Sequence, residues 1–255
     1  MFAVGAIASG INAVAGGGSL ISFPYLVLSQ KVGETLTLGT GLSAKIANAT
    51  NSVGLFPGSM AGGMGFSNLI KKSGPHLKRL LIPTTLGSIA GAYLLLQTSD
   101  KNFAKVIPVL IFLAATLLWL QPKVRELIGS GRQIPVWLGL VVQFLVSVYG
   151  GFFGAGMGIM MLACFSFYME GNVHELNAIK NWLALLINFT CSIVFVVKGL
   201  VVWSVAPWIV AGSLVGGFFA ARISQRFDPA KLRKAISIYG FGMALWFAYQ
   251  AHYFG

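Results

Sequence analysis

The chain has 255 residues, of which 56% are hydrophobic and only 9% charged, and its mean hydropathy is +0.79. Soluble domains carry about one-quarter charged residues, so this composition excludes a water-soluble globule and indicates a membrane domain. The net charge of +12 comes largely from basic residues in short loops between apolar stretches. Such placement follows from membrane topology and argues against nucleic acid as a partner.

Eight apolar segments follow one another: 2–29, 36–57, 80–97, 103–121, 135–169, 176–197, 202–221 and 232–251. The first could be mistaken for a secretory leader, but no Lys or Arg precedes Lys31 and the apolar run continues to about Leu28, so it reads as part of the mature fold. It contains Gly16-Gly17-Gly18-Ser19, followed by Pro24. A glycine run of this kind breaks a helix at membrane depth, where irregular backbone is tolerated only against protein or a water-filled cavity. The half-helix that follows presents free N–H groups and the positive end of its dipole to an anion.

The second segment carries Lys45 within LTLGTGLSAKIANATNSVGLF, about nine residues from its start. An ionisable residue at that depth is a functional candidate by default; the alternative is a lysine snorkelling to the interface. Gly41, Lys45, Asn48 and Ser52 share one face at helical spacing. Gly87/Gly91 in the third segment and Gly212/Gly216 in the seventh are GxxxG pairs and read as helix-packing surfaces.

The fifth segment, 135–169, is 35 residues, about 52 Å as one helix, and its middle reads GGFFGAGMG. It is long enough to fold back, and Gly154, Gly156 and Gly158 repeat the pattern of the first segment. The sixth segment places Asn181, Asn188 and Ser192 on a matching face, with Leu185 where Lys45 stands. The two cysteines, Cys164 and Cys191, lie inside apolar segments and suit a small hydrophobic role.

Shifting the sequence by 140 positions superposes Gly10, Ala15, Gly16 and Gly18 on Gly150, Ala155, Gly156 and Gly158. In the same register Leu36, Ala44, Asn48, Thr50 and Ser52 meet Leu176, Ala184, Asn188, Thr190 and Ser192. The expectation is a single membrane domain, 1–255, built from two homologous halves, 1–122 and 133–255. Two topologies fit: eight plain crossings, or six crossings with 2–29 and 135–169 as re-entrant hairpins. Only the second gathers the 71–79, 123–132 and 222–234 basic clusters on one face, and it makes the repeats inverted.

Glu34, Asp100, Glu126, Glu170, Glu175 and Asp228 all fall in loops or at segment ends, so no intramembrane carboxylate relay is visible. His76, His174 and His252 are scattered near segment ends, and neither a metal site nor a catalytic motif can be assembled. The chemistry points to anions, with no enzyme activity, cofactor or metal expected.

The combination INAVAGGGSLISFPYLVL, then LTLGTGLSAKIAN, then a basic loop before TTLGSIAGAYLL, resembles the TauE/SafE sulfite exporter family over nearly the whole chain. Its second-half version, GGFFGAGMGIMMLACFSF, has Met157 within the glycine run and Cys164 where proline is typical. The resemblance implies a permease for sulfite, sulfonates or other small organosulfur anions, usually in a bacterial inner membrane. The expected substrate site joins Gly16, Gly17, Gly18 and Ser19 to Gly154, Gly156 and Gly158. Lys45 would offset the anion's charge there, with Asn48 and Asn188 donating hydrogen bonds. The rival readings are an anion channel and a non-transporting intramembrane subunit or enzyme.

Overall fold

The computed structural model describes residues 1–14, 17–31, 43–64, 67–127, 135–169, 173–223 and 229–254. In lipid a backbone must satisfy its own polar groups, which favours helix throughout, and ten helices account for nearly all these residues. The first half contributes α1 (Phe2–Val14), α2 (Ser19–Lys31), α3 (Ala44–Met64), α4 (Ser67–Gln97) and α5 (Asp100–Leu127). The second contributes α6 (Val136–Phe152), α7 (Met157–Tyr168), α8 (Val173–Val197), α9 (Ala206–Ile223) and α10 (Pro229–Phe254).

Three stretches of the described residues are long and apolar enough to cross a bilayer: Leu77–Gln97 in α4, Asp100–Leu120 in α5 and Ala178–Val197 in α8. Their outer faces carry large apolar side chains such as Ile82, Val109 and Phe112, all more than half exposed. In water this would be costly; against lipid tails it is the expected exterior. The chain is therefore an all-α integral membrane protein.

Helices α1, α2, α6 and α7 have 13, 13, 17 and 12 residues. At 1.5 Å per residue each is shorter than the roughly 30 Å hydrocarbon core. In the second half the two short helices fold back on each other. A Cβ at Gly139, near the start of α6, would collide with the ring of Tyr168 at the end of α7, while Gly150 near the end of α6 meets Met157 at the start of α7. Contacts in that order require antiparallel helices, so 135–169 is a hairpin and not one broken rod.

The direction of the first half follows from α9. Along α1 and α9 the contacts Phe2/Gly212 and Ala6/Gly216 advance together, and so do Gly54/Ile209 and Gly58/Ser213 along α3 and α9. Helices α1 and α3 therefore run the same way, and the chain must return between them, where α2 is the described helix. Helix α2 in turn runs with α10, through Gly17/Ile236, Leu20/Gly240 and Phe23/Phe247.

Both GxxxG pairs are packing surfaces. A Cβ at Gly87 or Gly91 would collide with the carbonyl oxygen of Phe144 or Val148 on α6, and one at Gly212 or Gly216 with that of Phe2 or Ala6 on α1. Lipid provides no hydrophobic drive between helices, so such backbone approach is a main source of cohesion. Polar bonds add to it: the Gln143 amide on α6 donates to Thr84 on α4 at 3.0 Å and to Ser147 at 3.2 Å. The pairings recur when the halves are exchanged. α1 packs on α9 as α6 packs on α4, α3 on α9 as α8 on α4, and α2 meets α10 as α7 meets α5.

Candidate functional site

The second break runs from Phe153 to Gly156. The carbonyl of Tyr149 accepts from the N–H groups of both Phe153 (2.9 Å) and Gly154 (3.2 Å), which ends α6. Gly154 and Gly156 then adopt φ of 80° and 77°. This left-handed region costs an L side chain about 1–2 kcal/mol, which explains glycine at both positions. The Tyr149 hydroxyl donates to the carbonyl of Ala155, between the two glycines, at 2.6 Å. Met157, where the first half has Gly17, opens α7 and rests its sulfur on Gly150. Gly158 lies in the first turn of α7, and the aliphatic stem of Lys180 from α8 runs across it, 3.3 Å from where a Cβ would stand.

The first break has a different construction. Gly16 lies outside the described residues. Gly17 is buried against Leu118 of α5, and Gly18 is buried against the Ala8 carbonyl of α1. The N–H of Gly18 donates to Asn12 Oδ1 at 2.9 Å, and its carbonyl accepts from the Ser22 hydroxyl at 3.3 Å. Ser19 begins α2 and is half-buried. One of the N–H groups expected to face an anion is thus already bonded within the first hairpin.

The two breaks lie side by side along α5. Gly156 abuts Ala114, and Gly17 abuts Leu118 one turn further on the same face. A ring contact joins them as well, between Phe153 in the second break and Phe23 on α2.

Lys45 requires a correction. Helix α3 begins at Ala44, so Lys45 stands in its first turn, level with the end of α4; Gly41 is outside the described residues. Its ammonium group donates to the carbonyls of Leu96 (2.8 Å) and Thr98 (2.7 Å), at the C-terminal end of α4. Cations are favoured at helix C-termini, where carbonyls lack intrahelical partners. These acceptors carry no net charge.

One turn on, Asn48 is buried and its amide donates to the carbonyl of Phe152 at 3.1 Å. A side chain from the first half thus satisfies the end of α6 at the second break. Thr50 likewise accepts from the N–H of Val202 ahead of α9, at 3.1 Å. Asn188, the counterpart of Asn48, is half-buried on α8. The structure therefore brings Asn48 to the second break, where Gly154, Gly156 and Gly158 stand, with Lys45 one turn ahead of it on α3 and bonded to the end of α4; Gly17, Gly18 and Ser19 lie in the neighbouring hairpin. Asn12, Tyr149, Phe23 and Phe153 were not anticipated from the sequence, because their partners are set by the fold-back of each hairpin.

Interlocked helices with glycine-broken hairpins at their centre define a multi-pass membrane protein with the architecture of a solute transporter. The chain belongs to the sulfite exporter TauE/SafE family, whose model matches residues 1–247. It is 28% identical to a probable membrane transporter protein of Haemophilus influenzae, over all of this chain and 95% of that one. It is 26% identical to the probable membrane transporter protein YfcA of Escherichia coli, over 92% of this chain and 82% of that one. A probable membrane transporter protein, ORF9, of a Sinorhizobium species is also 26% identical, over 92% of this chain and 85% of its own. No solved structure matches the chain. The protein is a membrane transporter of this family.

Proposed function

We propose that this transporter is a permease for small anions, namely sulfite, sulfonates or related organosulfur compounds, and that it acts in a bacterial inner membrane without catalytic chemistry. The substrate binds between the two glycine breaks, with Lys45 supplying positive charge. The observation that carries this reading is the position of Lys45 and Asn48. They lie one turn apart on α3, Asn48 bonds the end of α6 at the second break, and Lys45 holds a charge that carbonyl partners do not neutralise.

The halves 1–122 and 133–255 are inverted repeats in this proposal, a reading supported by the exchange-symmetric packing and by the antiparallel hairpin at 135–169. An inside-negative potential then drives anion efflux, with about 2.3 kcal/mol per elementary charge per 100 mV available.

The test is flux into proteoliposomes of purified protein, with sulfite, an aminosulfonate and a carboxylate as probes. Saturable uptake of the sulfur anions is the expected result. Non-saturating current would indicate a channel, and no movement of any anion would sink the transport of this class.

A further inference from the structure

An aromatic cluster lies where the two hairpins meet. Phe153 is the first residue beyond α6, with φ −139° and ψ −45°, so its ring direction follows the torsions of the break and not those of a helix. Its ring packs edge-on against Phe23 of α2, with centroids 5.2 Å apart and planes at 86°. Phe103 of α5 stands edge-on to both Phe152 (5.5 Å) and Phe153 (6.5 Å). Phe23 also leans on Phe247 of α10, at 6.4 Å. Phe23, Phe103 and Phe153 are all buried, at 1%, 0% and 5% exposure. The contact between Phe23 and Phe153 spans the two halves of the chain and the two breaks at once.

We propose that Phe23 and Phe153 form the gate of the anion route between the two breaks, with Phe103 as the seat against which the closed pair rests. The proposal depends on the anion-permease reading of the same site. Packed, desolvated rings exclude water and ions, which is how hydrophobic constrictions close a pathway. One ring sits on α2 directly ahead of Pro24, and the other at the start of the turn that holds the left-handed Gly154 and Gly156. Rotation of that turn separates the rings without unwinding α6 or α7. Asn48 bonds the carbonyl beside Phe153, so movement of α3 is transmitted to the ring.

The experiment reconstitutes the full chain and its Phe153→Ala and Phe23→Ala variants in liposomes. It measures saturable sulfite flux and, separately, passive nitrate leak. Either substitution is expected to raise nitrate leak several-fold over the unaltered chain. Phe165→Leu, in a buried ring on α7 that packs on Tyr168, is expected to leave leak unchanged. If an alanine variant fails to purify as a folded species, Phe153→Val and Phe23→Val keep an apolar side chain but leave the ring contact unfilled, and a smaller rise is expected of them. Leak at the level of the unaltered chain in all folded variants overturns the gate. Loss of sulfite flux with no leak also overturns it, since it would mark the rings as structural supports. An unaltered chain that moves no sulfite removes the permease reading, and the nitrate leak of the variants then decides separately whether these rings seal the chain.

Discussion

The two glycine breaks occupy matching places in the two halves, yet their described hydrogen bonds come from different parts of the molecule. In the first, both partners of Gly18 lie on the hairpin itself: Asn12 Oδ1 accepts from its N–H, and the Ser22 hydroxyl donates to its carbonyl. In the second, a donor, the Tyr149 hydroxyl, takes the carbonyl of Ala155, and a donor from the other half, Asn48, takes the carbonyl of Phe152. The hydrogen bonds described at the first break stay within its hairpin, whereas the second is partly held by α3. Similar glycine spacing therefore does not imply similar mechanics. The second break is the one that receives a hydrogen bond from α3, through Asn48, one turn along from Lys45.

The largest expected effect separates the breaks through their glycines. Gly156→Ala forces a side chain to φ 77° and brings its Cβ to 3.2 Å from the Ala114 backbone, so a loss of about 2–3 kcal/mol on unfolding in detergent is expected. Gly17→Ala presses on the end of the Leu118 side chain, with Ile236 at ordinary contact distance, and should cost less than about 1 kcal/mol. Equal losses would mean that the breaks are built alike.

Next, Asn48→Ala leaves the Phe152 carbonyl without its partner. About 1–3 kcal/mol should be lost, together with most sulfite flux. Asn188→Ala should change stability by less than about 0.5 kcal/mol. Equal flux defects in the two variants would restore symmetry to the site.

Tyr149→Phe removes one hydrogen bond and is expected to lower stability by about 1 kcal/mol and to raise the KM for sulfite. An unchanged KM would confine Tyr149 to holding the hairpin.

Lys45→Met is expected to cost only about 0.3–1 kcal/mol of stability, from the lost interaction with the end of α4. Its flux should nevertheless fall severely, while Lys45→Arg retains a cation and part of the activity. Flux at the original level in Lys45→Met would remove this lysine from the transport site.

Much of this organisation is legible in residue spacing. The breaks follow from runs of glycine that no helix interior accommodates well, and the positions of Gly87, Gly91, Gly212 and Gly216 announced surfaces where backbones touch. Lys45 was less legible. Its carbonyl partners lie 51 and 53 residues away, and only the approach of α3 to the end of α4 puts them within reach. Lys180 is similar: it reads as one more basic residue near a loop, but α8 carries its stem across Gly158.

By itself, the sequence determined the solvent and the breaks, because hydropathy and glycine content act locally and need no partner to be read. Tertiary structure alone decided which way each hairpin folds, which break receives Asn48, and where the charge of Lys45 rests. Those outcomes depend on backbone groups that helix ends leave unsatisfied, and in lipid each must find its partner on whichever helix the fold brings near.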